Sequence, residues 1–244
     1  MRYDHHMADR QPADLQGAEL HEADLQGVDL QGADRQLADL QLADLQLADL
    51  QLAFVRHGAT QPNLDGQRCG GDLDVPLTDI GRAQARAAGQ HIAQMQASKG
   101  LRVGLIVSSG LQRTDETAAI LAQQLGGARV IVLRGFVERH LGQWNRRSLS
   151  ETEPWIAGGL TPPGGESNTD FLARITSAVH SLLPHWPLAP QRPLVVASRG
   201  VGRALGELTG RPGRTHLANG QVDCFDLARC VGLAANPETA ESMA

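Results

Sequence analysis

Short apolar runs alternate with helical segments from Leu52 onward, and this alternation constrains the fold more than any other feature. Predicted strands cover residues 52–56, 102–108, 129–133, 193–197 and 221–226. Parallel neighbours need a long crossover connection, which a helix usually supplies. The sequence therefore predicts an α/β sandwich built on a largely parallel sheet.

Capping residues mark several of the predicted helices. The four helices are expected from Thr78 to Gly100, over about 112–125, from Ser167 to about residue 182, and over about 200–209. Thr78 and Ser167 can accept hydrogen bonds from the free N–H groups of a helix N-terminus. Gly100 can adopt the left-handed conformation that often ends a helix.

The first fifth of the chain follows a different pattern. Residues 1–12 form a polar tail, and residues 13–50 repeat a five-residue unit of the form Ala-Asp-Leu-x-x. Leucines five residues apart turn by about 140° per step around an α-helix, so they form no continuous apolar stripe. The unit resembles the pentapeptide-repeat family, whose chains wind into a four-sided β-helix. Eight copies would make only two coils, which leaves two alternatives, a short β-helix or a weakly ordered appendage.

Charge and cysteine content indicate the kind of partner and compartment. The net charge is −5, but residues 1–53 carry 11 acids against 3 arginines, and the remainder is slightly basic. That weak, scattered excess argues against a nucleic-acid surface and suits a small anionic substrate. No apolar run approaches the roughly 18 residues of a membrane span. Three cysteines without a C-x-x-C pair, together with a polar N-terminus, favour the cytoplasm.

Polar and basic residues follow three predicted strands, at Arg56–His57–Gly58, Ser108–Ser109–Gly110 and Ser198–Arg199–Gly200. Ligands of open α/β sheets bind beyond the carboxyl ends of the strands. The guanidinium groups of Arg56 and Arg113 can each bind two phosphate oxygens at once. We expect Gly58 to let the backbone approach a bound group closely. Glu138, which follows another strand, can supply a proton.

The chain carries no H-x-x-x-H pair, clustered acids, Walker loop, G-x-G-x-x-G or G-x-S-x-G motif. A metal ion and a nucleotide cofactor are therefore not expected. Transfer of a phosphoryl group through a histidine, without a metal, is the simplest chemistry that these residues support.

Five motifs in order resemble the histidine phosphatase superfamily, also called the phosphoglycerate-mutase-like family. They are FVRHGATQPN, LDVPLTDIGRAQA, SSGLQRTDETA, VERHLGQW and PPGGES, and the resemblance covers roughly residues 51–227. It implies a three-layer α/β/α sandwich and a phosphatase that needs neither metal nor cofactor. We accordingly assign residues 51–230 to a catalytic domain and residues 231–244 to a C-terminal tail.

The resemblance also implies a role for each matched residue. His57 would be the nucleophile that is transiently phosphorylated. Arg56, Arg113 and Asn63 would bind the phosphoryl oxygens. Glu138 would protonate the leaving oxygen and then help to activate water.

The last family motif departs from its usual form. An S-H-G sequence is usual there, whereas this chain has Ser198–Arg199–Gly200. Arg199 can donate hydrogen bonds and carry positive charge, but it cannot shuttle protons because it stays protonated. His140, two residues past Glu138, is an alternative contributor. Arg199 is therefore included among the catalytic candidates.

These observations lead to a main function and two alternatives. The main one is hydrolysis of a small phosphorylated metabolite, with no nucleic acid or membrane as partner. The first alternative is a phosphoglycerate mutase, in which Arg146 and Arg147 would bind a second anionic group. Only about 20 residues separate ERHLG from PPGGES, which is short for a mutase. The second alternative is a phospho-ligand binder or scaffold whose site is weakened at Arg199.

Overall fold

A computed structural model describes residues 50–100, 102–187, 190–211, 217–228 and 230. The predicted tails at 1–12 and 231–244 and almost all of the repeat segment at 13–50 lie outside the described residues. The choice between a β-helix and a weakly ordered appendage therefore stays open.

Five strands, six α-helices and three short 3₁₀ helices lie in the described residues. The strands are β1 (Gln51–Arg56), β2 (Arg102–Ser108), β3 (Arg129–Val132), β4 (Gln191–Ala197) and β5 (Val222–Asp226). The helices are α1 (Gln61–Leu64), α2 (Asp79–Lys99), α3 (Gln112–Gln124), α4 (Leu149–Ala157), α5 (Asn168–Leu182) and α6 (Arg199–Leu208).

All five predicted strands and all four predicted helices are present, and the capping residues are confirmed. Thr78 and Ser167 each accept a hydrogen bond from a backbone N–H in the first turn, and Gly100 ends α2 with a φ of 67°. The short helices α1 and α4 were not predicted. Both contain proline, which lowers helix propensity, and α4 carries it in its interior at Pro154.

The strands form one sheet in the order β3-β2-β4-β1-β5. The pairs β1–β4, β2–β4 and β2–β3 are parallel, and only β5 runs antiparallel, beside β1. The predicted mostly parallel sheet is thus confirmed. Because β1, β2 and β4 run in the same direction, the residues that follow them meet at one edge of the sheet.

Helices cover both faces of this sheet, which gives the predicted three layers. Leu52 and Phe54 of β1 point into a core shared with α5 and α6. Ala53 and Val55 point to the opposite face, where α2 and α3 pack. Each fully buried aliphatic or aromatic side chain of this kind stabilises the fold by about 1.5–3 kcal/mol. None of the helices in the described ranges is both long and apolar enough to cross a membrane.

The turn after β1 is held by a backbone contact between two glycines. A Cβ atom on Gly58 would lie 2.1 Å from the carbonyl oxygen of Gly81, near the start of α2. A Cβ atom on Gly81 would in turn lie 2.2 Å from the carbonyl oxygen of Ala59. The close approach expected at Gly58 is therefore made to the backbone of α2, which brings that helix against the end of β1.

We expect Gly58→Ala to destabilise the protein by about 1–3 kcal/mol, because the added methyl group must push α2 away from the turn. Gly158→Ala is the matched control, since its Cβ would lie 3.2 Å from the Pro154 carbonyl oxygen, a contact that a shift of a few tenths of an ångström relieves, and it should change stability by less than about 0.5 kcal/mol. Urea unfolding measures both values. Equal effects in the two variants would contradict this account of the turn.

Candidate active site

A cleft of about 240 Å³ opens at the carboxyl ends of β1 and β4. Five of the six predicted site residues line it, namely Arg56, His57, Asn63, Glu138 and Arg199. The sixth, Arg113, is fully buried and is not among the lining residues. Its charge nevertheless acts on His57, so it lies behind the wall of the cleft.

His57 is buried, and its ring orientation is determined by its own turn. Its Nδ1 atom lies 2.7 Å from the carbonyl oxygen of Gly58. A carbonyl oxygen can only accept a hydrogen bond, so Nδ1 carries the proton. Nε2 is then unprotonated and makes no hydrogen bond to a described residue. The ring therefore presents a free lone pair.

The surroundings of His57 also keep the ring uncharged. Burial lowers the pKa of His57 well below its ordinary value of 6.5, and the positive charges of Arg113 and Arg56 lower it further. A nearby positive charge disfavours the imidazolium ion for the same reason that it attracts an anion. The site thus combines a neutral nucleophilic nitrogen with an anion-attracting environment.

The two arginines that flank His57 are positioned differently. Arg56 donates from Nη1 to the carbonyl oxygen of Leu217 at 2.6 Å, and burial together with Arg199 lowers its pKa to about 10. Arg113 donates to the carbonyl oxygens of Leu73 and Gly70 at 2.9 and 3.0 Å. Arg113 therefore also holds the loop that precedes α2.

Asn63 is oriented by a second asparagine, Asn219, which the sequence analysis missed. The Asn63 Oδ1 atom accepts hydrogen bonds from the Thr60 N–H and from Asn219 Nδ2, both at 3.2 Å. Asn219 Nδ2 also donates to the carbonyl oxygen of His57 at 2.9 Å. Because the Asn63 oxygen is occupied, its NH₂ group remains the available donor. No sequence pattern links Asn219 to residues some 160 positions away.

Glu138 lies at the N-terminus of α6. Its Oε2 atom accepts a hydrogen bond from the Gly200 N–H at 2.8 Å, and its Oε1 atom accepts one from the Arg139 N–H at 2.7 Å. A Cβ atom on Gly200 would lie only 2.0 Å from Oε1. The glycine after Arg199 therefore leaves room for the Glu138 carboxyl group.

A partly buried ion pair between Arg174 and Glu166 fixes the segment that carries Glu138. Arg174 of α5 donates to the carbonyl oxygens of Gly135 and Val137 at 2.9 and 2.8 Å. Its guanidinium also binds both carboxylate oxygens of Glu166, at 2.9 and 2.6 Å. Paired bonds of this kind are geometrically specific. The PPGGES motif thus supports Glu138 indirectly, through Glu166.

Arg199 is the first residue of α6 and is partly buried. Burial lowers its pKa, and the charge of Arg68 lowers it further. Its guanidinium makes no hydrogen bond or ion pair with any residue that the structure describes. It is therefore available to an anion in the cleft.

Other expected contributors do not reach the cleft. His140 is exposed, and neither it nor Arg146 or Arg147 is among the lining residues. Arg147 instead pairs with Glu151 at 2.6 Å. Three arginines that the sequence motifs did not single out, Arg68, Arg139 and Arg203, do line the cleft. The four-residue spacing from Arg199 could have indicated Arg203, since such residues share a helix face.

Within the described part of the chain, no three His, Cys, Asp or Glu side chains are grouped as metal ligands.

We expect the imidazole of His57 to be neutral at pH 6.5, with its proton on Nδ1, because burial and two arginines lower its pKa. Long-range ¹H–¹⁵N NMR of the full chain measures this, with the signal assigned from its loss in His57→Gln. As the pH falls below about 6.5, His57 takes up a proton in the unfolded chain before it does so in the folded protein. The free energy of unfolding therefore decreases with falling pH in this range. A His57 signal that titrates near 6.5 would contradict the geometry.

Similar proteins are phosphatases and mutases. The chain is 35% identical over 159 residues to the glucosyl-3-phosphoglycerate phosphatase of Mycolicibacterium vanbaalenii, which covers 60% of this chain and 67% of that protein. It is 33% identical over 196 residues to the probable phosphoglycerate mutase GpmB of Cronobacter sakazakii, covering 74% and 86%.

Solved structures agree with this similarity. A mycobacterial glucosyl-3-phosphoglycerate phosphatase in complex with VO3 matches with a TM-score of 0.57 and 29% identity, over 71% of this chain and 90% of that one. Pentapeptide repeats match residues 13–46 in eight copies. The sequence model of the histidine phosphatase superfamily (branch 1) matches residues 52–229, which is well over half of the sequence. The chain therefore belongs to the histidine phosphatase superfamily, branch 1.

Proposed function

We propose that the protein is a phosphomonoesterase that hydrolyses a small phosphorylated metabolite through a phosphohistidine on His57. One observation carries this proposal. The Nδ1 proton of His57 is held by the Gly58 carbonyl oxygen, which leaves a neutral Nε2 in a cleft lined with arginine. A neutral imidazole in an anion-binding cleft is suited to attack phosphorus.

In the first step, Nε2 attacks the phosphorus atom and the bond from phosphorus to the ester oxygen breaks. Glu138 gives its proton to that oxygen, and the alcohol leaves. In the second step, Glu138 takes a proton from water as the water attacks the phosphohistidine. The phosphorus–nitrogen bond breaks, inorganic phosphate leaves and His57 returns to its neutral form. The proton that Glu138 gives to the alcohol in the first step is thus replaced by the one it takes from water in the second.

Arg56 and Asn63, which line the cleft, bind the phosphoryl oxygens during both steps, and Arg113 adds its positive charge from behind the wall. Arg199 supplies a fixed positive charge on the same side as Glu138, in place of the histidine usual in the family. Donors preorganised toward developing negative charge are commonly worth about 2.7–4 kcal/mol each. The lack of hydrogen bonds from Arg199 to described residues supports this role, because its donors remain available.

Phosphatase chemistry is favoured over the mutase alternative by the position of two arginines. Arg146 and Arg147, which a mutase was expected to use, do not line the cleft. A similar protein bears the name glucosyl-3-phosphoglycerate phosphatase, which supports a small phosphorylated substrate. The free thiols of Cys69 and Cys230 support a reducing, cytoplasmic setting.

Hydrolysis of an aryl phosphate in the presence of EDTA tests the proposal. We expect turnover by the wild type and none above background in His57→Ala, with a ³²P label trapped on the protein at acid-quenched early times. Circular dichroism shows whether the variant is folded. Wild-type turnover no faster than His57→Ala would leave the phospho-ligand binder as the better description. Dependence on added 2,3-bisphosphoglycerate would instead identify a mutase.

Arg199 provides a separate prediction. We expect Arg199→Ala to lower kcat by about 10²–10³-fold, because one charged donor to the transition state is lost. Arg199→His should restore part of the rate at pH 6, and this gain should disappear toward pH 8 as the imidazole loses its charge. The rate of each variant relative to wild type, measured across this range, is the readout. Arg199→Ala activity within twofold of wild type would contradict the role.

A further inference from the structure

A tight turn that does not line the cleft lies directly against the segment that carries Glu138. The turn covers residues 70–73, between α1 and α2, and the N–H of Leu73 donates to the carbonyl oxygen of Gly70 at 3.4 Å. A Cβ atom on Gly71 would lie 2.2 Å from the carbonyl oxygen of Glu138. Only glycine leaves enough space for such an approach. The backbone of the turn and the backbone at Glu138 are therefore in direct contact.

Asp72 attaches this turn to the next part of the same segment. Its Oδ1 atom accepts a hydrogen bond from the Leu141 N–H at 3.0 Å, and its Oδ2 atom accepts one from the Gly142 N–H at 2.8 Å. The Gly71 N–H donates in the opposite direction, to the carbonyl oxygen of Arg139 at 3.0 Å. Asp72 is an exposed residue, but both of its carboxylate oxygens are bound by consecutive backbone N–H groups. Hydrogen bonds to a carboxylate are strong, so they fix the direction of this segment.

Arg113 holds the other side of the turn. Its Nη1 atom donates to the carbonyl oxygen of Leu73 at 2.9 Å, and its Nη2 atom donates to the carbonyl oxygen of Gly70 at 3.0 Å. The side chain of Arg113 is fully buried in the first turn of α3. Asp72 lies between the two residues that Arg113 binds, so its carboxylate is fixed relative to the core of the domain.

The direction of the Glu138 carboxyl group depends on the same stretch of backbone. Its two oxygens accept hydrogen bonds from the N–H groups of Arg139 and Gly200, at 2.7 and 2.8 Å. Arg139 thus binds the Glu138 carboxyl group through its N–H and the turn, at Gly71, through its carbonyl oxygen. A displacement of the backbone after Glu138 would therefore change where this carboxyl group points.

We propose that Asp72 is a positioning residue, which directs the Glu138 carboxyl group toward the leaving oxygen without touching the substrate itself. The inference rests on the proposed function, since it concerns how Glu138 delivers its proton. Arg174 holds the backbone just before Glu138, and Asp72 holds the backbone just after it. A proton donor must come within about 2.6–3.2 Å of the atom that it protonates. A displacement of about 1 Å can lower a rate by about 10²-fold.

Hydrogen exchange in the full chain, measured by ¹H–¹⁵N NMR, tests this connection without any turnover. The Gly200 N–H lies in the first turn of α6, where a helix offers it no carbonyl oxygen, and Glu138 is its partner. We expect Asp72→Ala to raise the exchange rate of the Gly200 N–H about tenfold, although Asp72 and Gly200 share no hydrogen bond. Asp72→Asn keeps one accepting oxygen and should give a smaller increase.

Asp79→Asn is the matched control, because it removes a fully exposed carboxylate in the first turn of α2. The control should change the exchange rate at Gly200 by less than about twofold. Circular dichroism shows whether each variant is folded.

The nature of the leaving group provides a second test. Propyl phosphate needs a proton on its leaving oxygen, whereas the weakly basic 2,4-dinitrophenolate leaves without one. The ratio kcat/KM reports the steps up to release of the alcohol, so the later attack by water does not enter it. We expect Asp72→Ala to lower kcat/KM about 30-fold for propyl phosphate and less than about threefold for 2,4-dinitrophenyl phosphate. Glu138→Gln should show the same selectivity with a larger loss.

Unchanged exchange at Gly200 in Asp72→Ala would overturn the inference, because the Glu138 carboxyl group would then be held without Asp72. An equal loss of kcat/KM for both esters would also overturn it, since a merely structural role affects both alike. A failure of the proposed function gives a different result. If exchange at Gly200 rises as expected but the wild type hydrolyses neither ester, Asp72 does position Glu138 and the phosphatase proposal fails.

Discussion

Parallel pairing of β1 with β4 is the constraint on which the site depends. Arg56 lies opposite Ala197 in this register, so the residues that follow each strand emerge side by side. The backbone N–H of His57 donates to the carbonyl oxygen of Ala197 at 3.0 Å and extends this pairing into the site. A shift by one residue would turn Phe54 and Val55 to the wrong faces. Packing of the buried cores on both faces fixes the register of β1 and therefore also the position of His57.

Concentrated positive charge is the second feature of the site, and it has two consequences. It attracts an anion, and it keeps His57 neutral by disfavouring the imidazolium ion. Many of the arginines are held by backbone carbonyl oxygens rather than by carboxylates, as with Arg113 and Arg139. Carbonyl groups orient a guanidinium without cancelling its charge. The site can therefore be both rigid and strongly electropositive.

Sequence motifs predicted most of this arrangement because their spacing reflects the fold. The strand ends at Arg56 and Arg199 were assigned to one site because ligands of parallel α/β sheets bind beyond the carboxyl ends of the strands, and the structure brings them together. The sequence could not show that PPGGES acts through Glu166 on the segment before Glu138. Long-range hydrogen bonds of this kind leave no local pattern. The same reason explains why Asn219 was missed and why Arg146, considered for the second anionic group of a mutase, does not line the cleft.

The sequence by itself determined the strand and helix order, the family and most of the residues that line the candidate site, because periodicity, capping residues and ordered motifs are local properties. Only the tertiary structure decided which arginines share the cleft, since that depends on helix faces and loop packing. It placed Arg203 in the lining of the cleft and left Arg113 buried outside that lining. It also determined the tautomer of His57, because that proton follows the nearest carbonyl oxygen. The positive charge of the cleft is therefore a collective property of residues far apart in the chain, whereas the proton position depends on the turn geometry at Gly58.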